Sequence, residues 1–508
     1  FSVYAWNRRR VAEVAALLRS GAPDLLLFAG GPEPTADPGP LLAAGDIDFA
    51  IRGEGEGATI RVLDAAAKAP PVAGSGPAAR ARSLESALCE IQGVALPGRP
   101  EASRRAPAED LAVLPSPWLA GLLDPAARGG ALWELTRGCP FRCAYCYEGK
   151  GETGLRRFPR ARVEAELELF AKAARSGGAE VPQVFVLDPT FNADRARAKE
   201  LLALIERRGA GIHWKFEVRA EFLDRDLARR FASIDCSLQI GLQSAVPEVS
   251  AKVGRKLDPA DFSRRIGYLN EAGAVFGLDL IYGLPGDDPA GFGRSVDFAL
   301  GLMPNHLDVF PLAVLPGTEL AERAGEYGLA ADPEPPYLVT ATPGFPAEAM
   351  ARAGRLAAAC DLFYSRGRAV AWFLQALKPL KARPSVFLAR FGESLAARPG
   401  GASAAAGLSG TEIEASQLAF LEGEYRARGA ERLLPALRDI VRFNGAWGRA
   451  VAEGARSELD LAYDPDEVLG PAALDLAAFV RAARPRATRI AVAPGPGGPK
   501  VERRRARR

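Results

Sequence analysis

Hydrophobic and polar positions along the 508-residue chain change period several times, and the changes mark out its parts. Residues 1 to 66 alternate short apolar runs with amphipathic stretches. FSVYA reads as a strand, Val11, Val14, Ala15 and Leu18 recur at helical spacing, and DLLLFAGG is a buried strand closed by two glycines. PLLAAG then predicts a short helix, DFAIRGEGE a strand and turn, and TIRVLDAAAK a helix. Such alternation predicts parallel strands covered by helices. The pattern opens at Phe1, mid-strand and without a methionine, so we expect the first domain to continue upstream. Residues 69–129 are rich in Pro, Ala, Gly and Arg and read as linker, with Cys89 expected as a small buried hydrophobe.

From 130 to 325 the alternation resumes. Strands are expected at 131–136, 183–187, 213–218, 236–242, 275–281 and 307–313, with helices at 161–176, 195–208, 224–232, 259–272 and 290–302. Six strand–helix units are too few to close a TIM barrel and predict a partial one, with its site at the carboxyl ends of the strands. Residues 326–484 read as mainly helical, over 346–366, 369–378, 411–427, 430–453 and 471–483, with GASAAAG near 401 as an internal linker and Cys360 on an apolar helix face. The Pro-, Gly- and Arg-rich stretch 485–508 predicts a disordered basic tail.

Composition narrows the classes. Hydrophobic content of 48% and charge of 25% are ordinary for a globular protein. The net charge of +3 is too small, and too concentrated in the tail, to argue for nucleic acid. No apolar run approaches the ~20 residues that span a membrane. Six cysteines, three of them in one loop, do not make a disulfide framework, and a reducing cytoplasm is the expected compartment.

The candidate chemistry lies in ALWELTRGCPFRCAYCYEGK, residues 131–150. Gly138 and Pro140 break a strand into a loop that carries Cys139, Cys143 and Cys146, spaced C-x3-C-x2-C. Three thiolates can hold three irons of a four-iron cluster and leave the fourth open, whereas a closed cluster wants a fourth cysteine. The next one, Cys236, is far along the chain. Zinc usually takes four Cys or His ligands, often in C-x2-C pairs, and no histidine is near.

Cys139, Cys143 and Cys146, with aromatic Tyr145 just before the third, resemble the signature of the radical S-adenosylmethionine (SAM) enzymes. The resemblance implies that the open iron takes the amino and carboxylate groups of SAM, and that one electron cleaves SAM to methionine and a 5′-deoxyadenosyl radical. It also implies an α/β fold, a partial (β/α)6 TIM-like barrel over 130–325. Tyr145 then joins the SAM-binding candidates. The others are Asp188 and Asn192 after the second strand, Glu217 and Arg219 at the end of the third, and Gln243 and Ser244 after the fourth. An ordinary turn at 188–192 stays open as an alternative. Glu217 and Arg219 fall on one face of a strand, where they need each other or a charged ligand. Asp279 and Tyr282 are expected to face the substrate, and the backbone of Pro316-Gly317-Thr318 to lie near the adenine. His213 and His306, the only histidines, sit near strand starts, the stability end of a barrel, so no catalytic role is expected of them. No catalytic residue is named.

The first segment resembles the second half of the Rossmann-like cobalamin-binding domain that precedes the radical domain in one subgroup. The matching residues are Ser2-Val3-Tyr4, Trp6-Asn7, Gly30-Gly31-Pro32-Glu33 and Gly53-Glu54-Gly55-Glu56. Residues 1–68 would then be an N-terminally truncated cobalamin domain. Ser2, Gly30, Gly31 and Gly53 would line the slot for the nucleotide tail, with glycine letting a bulky ligand approach the backbone. The D-x-H-x-x-G of some such domains has no counterpart, since the first histidine is His213. Residues 326–484 resemble the helical domain of unknown function that follows the barrel in one such subgroup. The resemblance implies cobalamin-dependent C-methylation with a [4Fe–4S] cluster, SAM and cobalamin as cofactors. Cyclisation, rearrangement or oxidation without methyl transfer, and a non-catalytic iron–sulfur protein, remain open. The implied partners are a small-molecule or peptide substrate and an electron donor such as flavodoxin or ferredoxin, with neither nucleic acid nor membrane.

Overall fold

The computed structural model describes residues 1–23, 25–68, 84–99, 104–148, 154–175, 183–397, 407–468, 470–495 and 497–504. The chain divides into two compact units. The first is Phe1–Pro182 with Leu187–Pro189 and Leu312–Pro343, and the second is Gln183–Val186 with Thr190–Pro311 and Gly344–Arg508. This division cuts across the expected boundaries: the cysteine stretch and residues 312–343 belong with the N-terminal segment. The Pro-rich stretch 69–83 and all but the last residue of the GASAAAG linker lie outside the described residues.

In the first unit, β1 (Phe28–Ala29) pairs in parallel with β2 (Phe49–Ile51), and β3 (Val94–Ala95) adds to β2 in antiparallel. Ser2 bridges Gly30 in parallel, so the segment before the first helix extends this small sheet. The helix Arg8–Gly21 turns Val11 and Ala15 inward, and Glu56–Lys68 turns in Ala58 and Val62. Both stripes follow the helical period that predicted them. Cys89 is exposed, contrary to expectation. Leu84 and Leu88 occupy the buried stripe of a short helical stretch over 84–89, and the position after Leu88 turns away from it.

Two of the glycines expected to admit a ligand have another cause. Gly31 has φ +107°, and a Cβ there would lie 2.8 Å from the Val3 carbonyl oxygen. Gly53 has φ +93°, and a Cβ would lie 3.0 Å from the Ala106 nitrogen. In both places another stretch of backbone already occupies the room that glycine provides. Gly30 differs, since its nearest would-be neighbour is the Ile51 carbonyl at 3.8 Å, an ordinary contact.

All six expected barrel strands form. β4 (Ala131–Trp133) lies in the first unit, while β7 (Gln183–Val186), β8 (His213–Val218), β9 (Cys236–Gln243), β10 (Val275–Tyr282) and β11 (His306–Pro311) lie in the second. β7 to β11 run parallel in the order β11-β10-β9-β8-β7. Between them come the helices Arg195–Arg208, Arg225–Ala232, Pro259–Ala272 and Pro289–Gly301. An aspartate begins each: the carboxylates of Asp194, Asp224, Asp258 and Asp288 accept backbone amides of the first turn. This satisfies donors that a helix start leaves unpaired.

The strands alternate. Trp214, Phe216, Val218, Leu238, Ile240, Leu242, Phe276, Leu278, Leu280 and Tyr282 are buried, and Phe216 packs on Phe231 while Tyr282 packs on Phe292 of the flanking helices. The positions between them are largely half-exposed. Tyr282 is therefore on the helix-covered face, not the substrate-facing side expected for it.

The C-terminal part departs further from expectation. Pro384–Ala396, a helix not anticipated, buries Phe387, Leu388, Phe391 and Leu395. Cys360 is core, as expected. The tail is not wholly disordered: β15 (Thr488–Ala493) pairs in antiparallel with both β14 (Ser457–Leu461) and β16 (Lys500–Arg504). SELDL carries the period-2 pattern of a half-buried strand and TRIAVA a short apolar run buried over its last four residues, which the surrounding Pro, Gly and Arg obscured. Residues 505–508 lie outside the described residues. Ile490 and Val492 are fully buried with Phe443, Ala446 and Leu461. Ile490→Ala should therefore cost about 2–4 kcal/mol in chemical denaturation; an unchanged midpoint would show that this sheet is not part of the cooperative fold.

Candidate functional site

The cysteine loop belongs to the first unit and is pinched at its base. Thr136–Arg137 (β5) pairs in antiparallel with Arg156–Arg157 (β6), so the loop between them returns to its starting point. Gly138, the first loop residue, has φ +87°, and a Cβ there would lie 2.5 Å from the Gly154 carbonyl oxygen. Only glycine closes the loop this tightly. Beyond it the Cys146 amide donates to the Cys143 carbonyl at 3.0 Å, and the Leu320 amide donates to the Ala144 carbonyl at 2.8 Å. All three cysteines are half-buried and outside any disulfide.

Burial pushes the Cys146 thiol up to about 11, and the nearby Cys143, Glu148 and Cys139 raise it further while the Glu148 amide opposes the rise. Three thiols close enough to repel one another as thiolates are a set that a cationic cluster would deprotonate and hold. Among the described residues, no three His, Cys, Asp or Glu side chains converge as a single metal ion requires. A cluster that takes one thiolate per iron needs them further apart, so these residues fit the cluster better than zinc.

The loop is braced by charge. Arg137 donates to Glu54 at 3.1 Å, to Glu56 at 2.6 Å and to Glu134 at 2.8 Å. Arg156 pairs with Glu54 and donates to the Glu109 carbonyl at 2.8 Å. Glu54 and Glu56 come from Gly53-Glu54-Gly55-Glu56, so this motif grips the base of the cysteine loop. Beside it, Arg105 lies over the Tyr147 ring. Glu33 of the Gly30-Gly31-Pro32-Glu33 motif is buried, accepting from Tyr337 at 2.7 Å and from Arg8 at 3.3 Å.

The SAM candidates fall in both units, Tyr145 and Asp188 in the first and Asn192, Glu217, Arg219, Gln243 and Ser244 in the second. Tyr145 is half-buried on the loop. Asp188 is buried, and one of its oxygens accepts the amides of Leu135 and Thr136 at 3.0 and 2.9 Å, which fixes the strand end that launches the loop. Asn192 is buried and exchanges two hydrogen bonds with the Arg219 backbone. The Ser244 hydroxyl meets Ser295 and the Val246 amide. Gln243 holds φ +67° at the end of β9, a conformation costly for a side-chain-bearing residue. Arg219 donates to Glu221 at 2.5 Å, which follows it on a tight helical turn.

In the second unit, the half-exposed strand face lines a cavity of about 500 Å³. Lys215 and Glu217 on β8, Gln239 on β9, Asp279 on β10, and His306 and Asp308 on β11 share it. Gln239 donates through Nε2 to Asp279 and, at 3.0 Å, to Asp308, and its Oε1 meets His306 Nε2 at 2.7 Å. Asp279 thus faces a cavity, as expected. His306, set aside because of its place at a strand start, is part of the same network. The shared parity of 215, 217, 237, 239, 306 and 308 along their strands was the available signal.

Residues 133–299 match the Radical SAM superfamily. The chain is 30% identical over 361 residues to the 2-(S-pantetheinyl)-carbapenam-3-carboxylate methyltransferase of Streptantibioticus cattleyicolor, across 66% of this chain and 50% of that protein. It is 29% identical over 360 residues to the cobalamin-dependent radical SAM methyltransferase TokK of Streptomyces tokunonensis, with the same coverage of 66% and 50%. The chain therefore spans about half the length of these relatives. In fold it resembles the solved radical SAM methyltransferase TsrM of Kitasatospora setae, with a TM-score of 0.51 at 19% identity over 66% of this chain and 70% of that one.

Two outcomes follow from the geometry. Arg137→Ala leaves Glu54, Glu56 and Glu134 facing one another and should cost about 1–3 kcal/mol in denaturation, whereas a neutral result would mean the brace is dispensable. Burial, with Asp308 and Glu217 adding to it against the Gln239 amide and Arg255, pushes the Asp279 carboxyl from 3.8 up to about 7. The folded state then holds this proton more tightly than the unfolded chain, so stability falls as pH rises through that window. The melting temperature should drop between about pH 5 and about pH 8, and drop less in Asp279→Asn; equal slopes would contradict the assignment.

Proposed function

We propose that the chain is the barrel-bearing part of a cobalamin-dependent radical SAM enzyme that transfers a methyl group to a substrate carbon. The observation that carries this reading is the cysteine loop: three half-buried cysteines outside any disulfide on one pinched turn, braced by the carboxylates of Gly53-Glu54-Gly55-Glu56. Two curated relatives that span most of this chain are methyltransferases by name, one of them cobalamin-dependent, which favours methyl transfer over cyclisation, rearrangement or oxidation. Cys139, Cys143 and Cys146 would hold the cluster, and the edge formed by Ser2 and Gly30 would face the nucleotide tail of cobalamin. When bound, the cluster supplies the electron that cleaves SAM, and cobalamin supplies the methyl group.

This chain's own residues do the positioning. Asp188 fixes the strand end from which the loop springs, Gly138 closes the loop, and Arg137 ties it to Glu54 and Glu56. A small-molecule or peptide substrate, an electron donor of the flavodoxin or ferredoxin kind and a cytoplasmic setting complete the proposal. Among the described residues, no helix is long and apolar enough to cross a membrane.

Anaerobic reconstitution should load about four irons per chain, and changing Cys139, Cys143 and Cys146 together to Ala should abolish both iron retention and reductive cleavage of SAM to 5′-deoxyadenosine. Iron retained by the triple variant would sink the cluster assignment. Substrate recovered with a methyl carbon from labelled SAM would establish methyl transfer, and labelled SAM consumed without it would favour the other radical reactions. Gly30→Leu, not Gly31→Leu, is the clean test of the cobalamin edge, because a side chain at Gly31 collides with Val3 whatever is bound. We expect Gly30→Leu to weaken hydroxocobalamin binding in a visible titration while leaving the thermal melt in place.

A further inference from the structure

Parallel strands are usually buried on both faces. Those of the second unit bury one face under helices and leave the other half-exposed and polar, around the cavity of about 500 Å³. This face is built, not incidental. His306 on β11 reaches across β10 to Gln239 on β9, and it does so over Gly277, where a Cβ would overlap its ring. Gln239 in turn ties Asp279 to Asp308. Three neighbouring strands are thus joined by one polar network at the floor of the cavity, and a connected network of this kind holds its groups in fixed positions.

The lining of the cavity is mainly acidic. Three carboxylates, Glu217, Asp279 and Asp308, line it with one ammonium, Lys215, and with His306, whose pKa burial lowers, while Arg255, which donates to the Gly241 carbonyl, acts on Asp279 from outside the lining. The walls beside this floor are apolar: Phe185 is half-buried and Phe310 is 51% exposed. Among the described residues, no acidic and imidazole groups are set to hold a metal ion. An organic cation suits the cavity, with its charge over the carboxylates and its body against the rings.

We propose that this cavity receives the substrate and selects one that carries a cationic nitrogen on an apolar body. The inference rests on reading the chain as an enzyme, and names the substrate class for it. Asp279, Asp308 and Glu217 are the selecting groups, and His306 and Gln239 position them.

The test uses the 508-residue chain without cofactors and three probes of one shape: benzylamine, benzyl alcohol and benzoate, followed by ligand-observed NMR. Benzylamine should bind about tenfold or more tighter than benzyl alcohol, and benzoate more weakly than either. The preference should vanish in Asp279→Asn/Asp308→Asn, with folding verified by thermal melt, and shrink a few-fold in Glu217→Gln, whose exposed side chain can change without loss of fold. Asp279 is faced by Gln239, His306, Asp308, Lys215, Glu217 and Arg255. A cation favours its ionised form, so wild-type affinity should rise from about pH 6 to about pH 8, and Asp279→Asn should be flat. Equal binding of amine and alcohol by the wild type, a preference that survives the double variant, or displacement of benzylamine by one equivalent of SAM would each overturn the proposal. The probes need neither cluster nor cobalamin. A failure of methyl transfer therefore leaves this result standing, and a failure of probe binding leaves the methyl-transfer reading standing.

Discussion

The pleat of the parallel strands is the constraint on which the second unit depends. Side chains alternate across a strand, so each of β8 to β11 must present one set of residues to the helices and the other to the opposite side. The helix side is satisfied by Trp214, Phe216, Leu238, Ile240, Leu278 and Leu280, all buried. Because that side alone supplies a core, the other is released from packing and can carry Lys215, Glu217, Gln239, Asp279, His306 and Asp308. A shift of one residue in any strand would exchange the two sets and bury the charges. The same alternation that stabilises the sheet therefore also keeps the polar face open.

The first unit solves a different problem, which is to hold a loop without secondary structure. A two-residue ribbon, Thr136–Arg137 against Arg156–Arg157, contributes little alone. Its stability is borrowed from Arg137 and Arg156, whose guanidinium groups are fixed by Glu54, Glu56 and Glu134 and by the Glu109 carbonyl. Asp188 performs a matching task where the loop starts, by accepting the two successive amides of Leu135 and Thr136. These are charged, partly buried contacts, and each would be costly to leave half-made. The thiols are thereby placed through the backbone of the loop that carries them.

The chain's strand–helix order, its six barrel strands and most of its helices were legible from period and composition, as was the loop of Cys139, Cys143 and Cys146. Those features rest on local patterns: apolar spacing, Gly and Pro as breakers, and cysteine spacing. Misreadings arose where a local pattern was ambiguous. Gly31 and Gly53 looked like room for a ligand, yet Val3 and Ala106 fill it. TRIAVA was hidden by arginine- and proline-rich neighbours, and Cys89 lay one position off the stripe that decides burial.

By itself the sequence determined which residues can do chemistry: three cysteines with one spacing, and polar residues at alternate strand positions. Which polar groups are free to do it was decided by the tertiary structure alone. Asp188, Asn192 and Ser244 are chemically able to hold a ligand, and folding also gives them partners in backbone amides, the Arg219 backbone and Ser295. Arg219 has Glu221. His306 lies at a strand start, yet Gly277 lets its ring cross to Gln239. Hydrogen-bond partners separated by tens of residues are chosen by strand order and register, and neither is written in any short stretch of the chain.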